Sequence, residues 1–140
     1  METNSNINKA ELPSLSDKTI LLVDDEESIR KFTSKVLEKY LNANVVACSN
    51  PKEAFDYLNT NIPDLVIMDL QMPMMDGLTA LKYIRNSEKT FDLPVIICSA
   101  LGFESVLMTT AKLGVSDFIV KPADVNTLIK KVLKALNMAT

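Results

Sequence analysis

A chain of 140 residues sets a prior of one domain, long enough to bury roughly two-thirds of the surface it would expose unfolded. Its 47% apolar and 24% charged residues suit an ordinary globular protein, and a net charge of −3 supplies no basic field, so no direct nucleic-acid binding is expected. The absence of histidine excludes Ser-His-Asp and Cys-His nucleophile pairs, and three glycines (Gly77, Gly102, Gly114) leave no room for a dinucleotide fingerprint or a P-loop.

Residues 1–17 are polar, with scattered apolar side chains and a lone Pro13, and read as a flexible N-terminal tail ahead of a domain over 18–138. They lack the basic start and apolar stretch of a secretory signal. No apolar run approaches the ~20 residues a membrane helix needs. The expectation is therefore a cytoplasmic protein without membrane insertion.

From Thr19 the pattern becomes regular. Ile20-Leu21-Leu22-Val23 is a continuous apolar run ending in charge, the signature of a strand buried on both faces. Ile29, Phe32, Val36, Leu37 and Tyr40 then fall at helical spacing, which predicts an amphipathic helix over about 26–41. Val45-Val46-Ala47-Cys48 is a second apolar run. Asn50-Pro51-Lys52-Glu53 follows as a helix start, with an Asn cap, Pro in the first turn and Glu three residues after the cap. Leu65-Val66-Ile67-Met68 is a third strand ended by Asp69, and Gly77 opens a helix through Leu81 and Ile84. Pro94-Val95-Ile96-Ile97-Cys98 makes the fourth strand. A helix from about Phe103 stops near Gly114, a C′ glycine. Phe118-Ile119-Val120 is the fifth strand, and Val125, Leu128, Ile129, Val132, Leu133 and Leu136 form the stripe of a last helix. Five strands alternating with five helices predict an α/β fold, a doubly wound parallel sheet with helices on both faces.

Four of the five strands end on polar residues: Asp24-Asp25-Glu26, Asp69, Ser99 and Lys121-Pro122. Ligands of open parallel sheets bind outside the carboxyl ends of the strands, near the point where strand order reverses. If the first and third strands are neighbours, Asp24, Asp25 and Asp69 converge there. Three clustered carboxylates repel one another unless a divalent cation sits among them, and Mg²⁺ prefers such hard oxygen ligands. Lys121 and Ser99 bring a positive charge and a hydroxyl, which suit the oxygens of a phosphoryl group. A single Asp after a strand is most often a turn former or cap. Five polar residues of complementary chemistry at one end of successive strands carry more weight.

At these residues the chain resembles the receiver domains of two-component response regulators, the CheY-like fold. The resemblance rests on Ile20 to Glu26, Val66 to Gly77, Val95 to Ala100 and Asp117 to Pro122, in order and at matching offsets between Asp69, Ser99 and Lys121. It implies a (βα)5 sheet in the order 2-1-3-4-5, with Asp69 as phosphoacceptor. It further implies that Asp25 binds Mg²⁺ directly and Asp24 chiefly through water, with Asp69 and the backbone carbonyl of Gln71 as further ligands. Lys121 would pair with the phosphoryl group, across a cis bond to Pro122. Ser99 would move to the phosphate, and Ala100 would leave it room. Phe118 stands at the position of the switch aromatic, with no hydroxyl, so its inward rotation would rest on packing alone. Met72-Pro73 belongs to the family loop. Cys48 and Cys98 match no zinc spacing and read as small core residues, and the implied strand order sets them roughly 14 Å apart, beyond disulfide reach.

The function so implied is a stand-alone response regulator, phosphorylated by a sensor histidine kinase or a histidine phosphotransfer protein. It would signal in chemotaxis or a phosphorelay through the face of the fourth helix, fifth strand and fifth helix, as a monomer or a weak phosphorylation-dependent dimer. The alternative is a receiver excised from a larger regulator with a separate output domain. A true phosphatase with an Asp nucleophile wants a second Asp two residues on, and that position is Gln71. The chain is accordingly expected to be a phosphoacceptor switch, not an enzyme acting on outside substrates.

Overall fold

Apolar runs with side chains on both faces need cover on both faces, and the architecture supplies it. The computed structural model describes residues 8–72, 76–100 and 111–138. Strands β1 (Thr19–Val23), β2 (Asn44–Cys48), β3 (Leu65–Met68), β4 (Val95–Ser99) and β5 (Asp117–Val120) form one parallel sheet in the order β2-β1-β3-β4-β5. The described helices are α1 (Glu27–Leu41), α2 (Pro51–Leu58), α3 (Gly77–Asn86) and a C-terminal helix (Val125–Ala135). The predicted helix from Phe103 falls mostly outside the described residues, which rejoin it at helical residues 111–112. Gly114 ends it with a left-handed φ of 70°, as the C′ reading requires.

The period of two along each strand sorts the core into two layers. Ile20, Leu22, Ile67, Ile96 and Ile119 face α1 and the C-terminal helix, meeting Leu37, Leu128, Ile129 and Val132. Leu21, Val23, Val66, Met68, Val95, Ile97 and Phe118 face the other way, against Ala54 of α2 and Ala80, Leu81 and Ile84 of α3. The central β1, β3 and β4 are buried almost throughout. As an edge strand, β2 leaves Asn44 and Ala47 exposed. Both cysteines are free, buried thiols.

Caps begin the helices where the sequence provides them. Asn50 accepts from the Glu53 N–H at 2.9 Å, and Glu53 Oε1 accepts from the Ser49 N–H at 2.6 Å. Asp76 caps α3 through the Thr79 N–H at 2.8 Å, and Asp124 caps the C-terminal helix through the Thr127 N–H at 2.7 Å.

Part of the segment ahead of residue 18 packs on the sheet domain. Lys9–Glu11 form a 3-10 turn capped by Asn8. Leu15 is fully buried in the core, and its N–H donates to the Leu41 carbonyl at the end of α1 at 2.6 Å. The Asn44 side chain holds the same strap through the Ser16 and Lys18 carbonyls. A buried leucine fixed by a backbone hydrogen bond belongs to the folded unit, so packing begins before residue 18. No described helix is long and apolar enough to cross a membrane.

Candidate functional site

Register places the acids. β1 pairs β3 with Val23 opposite Met68, so the residues that follow, Asp24 and Asp69, leave the sheet side by side. The Asp69 N–H still donates to the Val23 carbonyl at 3.1 Å, which fixes that adjacency. Gly77 brings α3 close behind: its N–H donates to the Leu70 carbonyl at 2.8 Å. A Cβ there would lie 2.2 Å from the Asp69 carbonyl oxygen, so a larger residue would push the helix off the strand end.

On the other side, β4 pairs β5 with Ser99 opposite Val120, and the Lys121 N–H donates to the Ser99 carbonyl at 2.9 Å. The Lys121–Pro122 peptide bond is cis. Lys121 Nζ lies 2.7 Å from Asp24 Oδ2, 2.8 Å from Asp69 Oδ2 and 3.2 Å from Glu26 Oε1. The remaining oxygens of the two buried acids are also engaged. Asp24 Oδ1 accepts the Glu26 N–H at 2.9 Å, and Asp69 Oδ1 accepts the Gln71 N–H at 3.0 Å. Arg30 holds the Asp24 carbonyl at 2.8 Å. Asp24, Asp69 and Ser99 are buried, whereas Asp25, Glu26 and Ala100 are exposed.

The electrostatics follow from that crowding. Burial pushes Asp24 above the usual carboxylate range, and hydrogen bonds from Lys121 and Glu26 pull it only part of the way back. Burial also opposes the charge on Lys121, but bonds and charges from Asp24 and Asp69 outweigh it and hold the ammonium above an ordinary lysine.

One carboxylate oxygen from each of Asp24, Asp25, Glu26 and Asp69 lies within 4.8 Å of the others. Hard anionic oxygens at this spacing fit a divalent cation of the Mg²⁺ type. Asp24, Asp25, Asp69, Lys121 and the Gln71 backbone are thus gathered at one sheet end, with Ser99 closing the adjacent strand. Phe118 is buried in the α2–α3 layer, one strand pair away. Glu26 was not among the residues singled out from the sequence. The signal for it was the third acid of the Asp24-Asp25-Glu26 run.

The chain matches known proteins over most of its length. The family model of the response regulator receiver domain matches residues 20–133. The chain is 36% identical over 118 residues to chemotaxis protein CheY of Bacillus subtilis, covering 84% of this chain and 97% of that one. It is 38% identical over 117 residues to the CAI-1 autoinducer sensor kinase/phosphatase CqsS of Vibrio cholerae, covering 83% of this chain but only 17% of that protein. The structure of chemotaxis response regulator CheY4 of Vibrio cholerae superposes with a TM-score of 0.79 at 25% identity, covering 85% of this chain and 98% of that one. Receiver domains of this family are phosphoacceptor switches that meet histidine kinases and downstream targets, and the five parallel strands in the order 2-1-3-4-5 are theirs. The chain belongs to the response regulator receiver domain family.

Proposed function

We propose that the chain is a response regulator whose phosphoacceptor is Asp69. The observation that carries this reading is a buried carboxylate 2.8 Å from a buried ammonium, beside the acids Asp24 and Asp25 at the junction of β1 and β3. An Asp69 oxygen attacks the phosphorus of a partner's phosphohistidine: an O–P bond forms, the P–N bond breaks, and the imidazole nitrogen leaves with the electron pair and takes up a proton. Asp24, Asp25, Asp69 and the Gln71 carbonyl would hold Mg²⁺, which supplies neutralising charge for the phosphoryl oxygens. Lys121 would exchange a carboxylate for a phosphoryl oxygen, and the Ser99 hydroxyl would donate to another. Phe118 would repack inward as the site tightens, and the face of β5 and the C-terminal helix, with the predicted fourth helix, would present the change to a protein target.

Whether the receiver acts alone is a separate matter. A stand-alone regulator is the first reading, with chemotaxis or a phosphorelay as its setting, in line with the likeness to the Bacillus subtilis chemotaxis protein. A receiver within a larger regulator is the second, in line with the likeness to a segment of the sensor kinase.

The test is incubation with acetyl phosphate, with and without Mg²⁺, followed by intact mass, alongside Asp69→Asn. A gain of one phosphoryl group that requires Mg²⁺ and vanishes in the variant is expected. A gain that survives Asp69→Asn would move the acceptor elsewhere, and no gain under any condition would remove the reading.

A further inference from the structure

Lys121 has three carboxylate partners, and one of them differs from the other two. The Asp24 and Asp69 side chains are 3% and 5% exposed, whereas Glu26 is 57% exposed. Asp24 and Asp69 are oriented by backbone N–H groups on their Oδ1 atoms, which leaves Oδ2 of each for Lys121. Glu26 occupies the N-cap of α1 yet makes no side-chain capping bond. An N-cap side chain ordinarily accepts from the first turn of its own helix. The longer Glu26 side chain turns away from that role and reaches Lys121 at 3.2 Å.

Lys121 is held by Asp24 Oδ2 and Asp69 Oδ2, and a divalent cation drawn to the same two carboxylates competes with the ammonium for their charge. We infer that Glu26 is a positioning residue for Lys121: it keeps the ammonium in the site when a divalent cation draws on Asp24 and Asp69. The lysine then shifts along its flexible stem from the buried pair to the exposed acid and remains where a phosphoryl oxygen would meet it. This inference rests on the metal-dependent reading above.

The test follows the reactivity of the Lys121 amine in the full chain. Protein with and without saturating Mg²⁺ is treated with an amine-acetylating ester, and acetylation of Lys121 is timed by peptide mass spectrometry. Without Mg²⁺, Glu26→Gln and wild type are expected to react within about 1.5-fold of each other, because Asp24 and Asp69 hold the amine. With Mg²⁺, Glu26→Gln is expected to react about three- to fivefold faster than wild type, the factor carried by an ion pair with one exposed partner. Glu26→Asp should behave like the glutamine variant, since a short acid at an N-cap turns to its own helix and cannot reach the lysine. A difference equally large without Mg²⁺, or no difference with it, overturns the inference; so does an aspartate variant that matches wild type. Saturation is checked by amide chemical shifts of residues 24–26 and 69. If Mg²⁺ moves none of them, the metal-dependent reading itself fails, a result distinct from the others.

Discussion

Two buried or half-buried cations serve opposite ends of the sheet, and their partners differ in kind. At the carboxyl end Lys121 meets three carboxylates. At the amino end Arg85 donates to backbone carbonyls of Leu113 at 2.6 Å, Leu93 at 2.8 Å, Gly114 at 3.0 Å and Thr90 at 3.4 Å. The guanidinium fork suits several fixed acceptors at once, tying the end of α3 to the turns that lead into β4 and β5. Carbonyls are neutral and belong to the backbone, so they draw other cations far less than carboxylates do. Carboxylates attract any cation, so the bonds of Lys121 can be exchanged. One end is a clamp and the other is an exchangeable site.

That contrast breaks most readily at Lys121. Lys121→Met leaves Asp24 and Asp69 buried without their counter-charge, and a loss of about 3–5 kcal/mol is expected in urea denaturation with the metal chelated. Millimolar Mg²⁺ should restore much of it, because a divalent cation that binds the folded state raises its stability. An equal loss in chelator and in Mg²⁺ would mean that the lysine is not standing in a cation site.

Arg85 should behave in the opposite way. Arg85→Met leaves several backbone carbonyls without their donor, at about 2–4 kcal/mol by the same measurement. Mg²⁺ should restore none of it. Phosphorylation of the folded variant by acetyl phosphate should stay within about twofold of wild type, since no Arg85 contact reaches the acids. A variant that folds normally but cannot be phosphorylated would join the two ends and dissolve the distinction.

The two ends were unequally legible in the sequence, for a physical reason. Side-chain chemistry at strand ends can be read from residue types, so Asp24, Asp25, Asp69 and Lys121 stood out once the apolar runs fixed where the strands stop. The central strands were equally plain, because burial on both faces makes a continuous run. Arg85 was invisible: its acceptors are backbone carbonyls, which no residue type announces. Leu15 was missed because a lone leucine among polar residues has no period, although its burial is complete. The run Val45-Val46-Ala47-Cys48 taken alone reads like a central strand, and it is the strand order implied by the resemblance that places it at an exposed edge. Glu26 is the third acid of its run, and residue type alone assigns it no task. What separates it from Asp24 and Asp25 is the length of its side chain at an N-cap, a matter of reach and not of charge.

A smaller effect sharpens the contrast through the two thiols, both near the carboxyl end: Cys48 closes β2 and Cys98 is next to last in β4. Burial pushes each up to about 11 from an ordinary 9.0. Glu53 adds to the rise at Cys48 and Arg30 opposes it, while at Cys98 Lys121 opposes the rise and Asp24 and Asp69 add to it. An acid whose folded pKa lies above its unfolded value favours folding fully below the unfolded pKa. That contribution is lost as pH rises towards the folded pKa, because the unfolded thiol ionises first. Between pH 9 and 11 each thiol should therefore remove about 1.4 kcal/mol of stability per pH unit. The quantity to measure is the difference in slope of urea midpoint against pH between wild type and Cys48→Ala or Cys98→Ala, which isolates each thiol from every other group. Each alanine should flatten the slope, and the double variant should flatten it most. Burial lowers the Arg85 guanidinium from its ordinary value and Asp92 opposes that shift, so Arg85→Met belongs in the same pH series as the comparison for the amino end. If the double variant kept the full wild-type slope, the alkaline weakness would have to come from groups other than these thiols, and the carboxyl end would lose its claim to be the pH-sensitive half of the sheet.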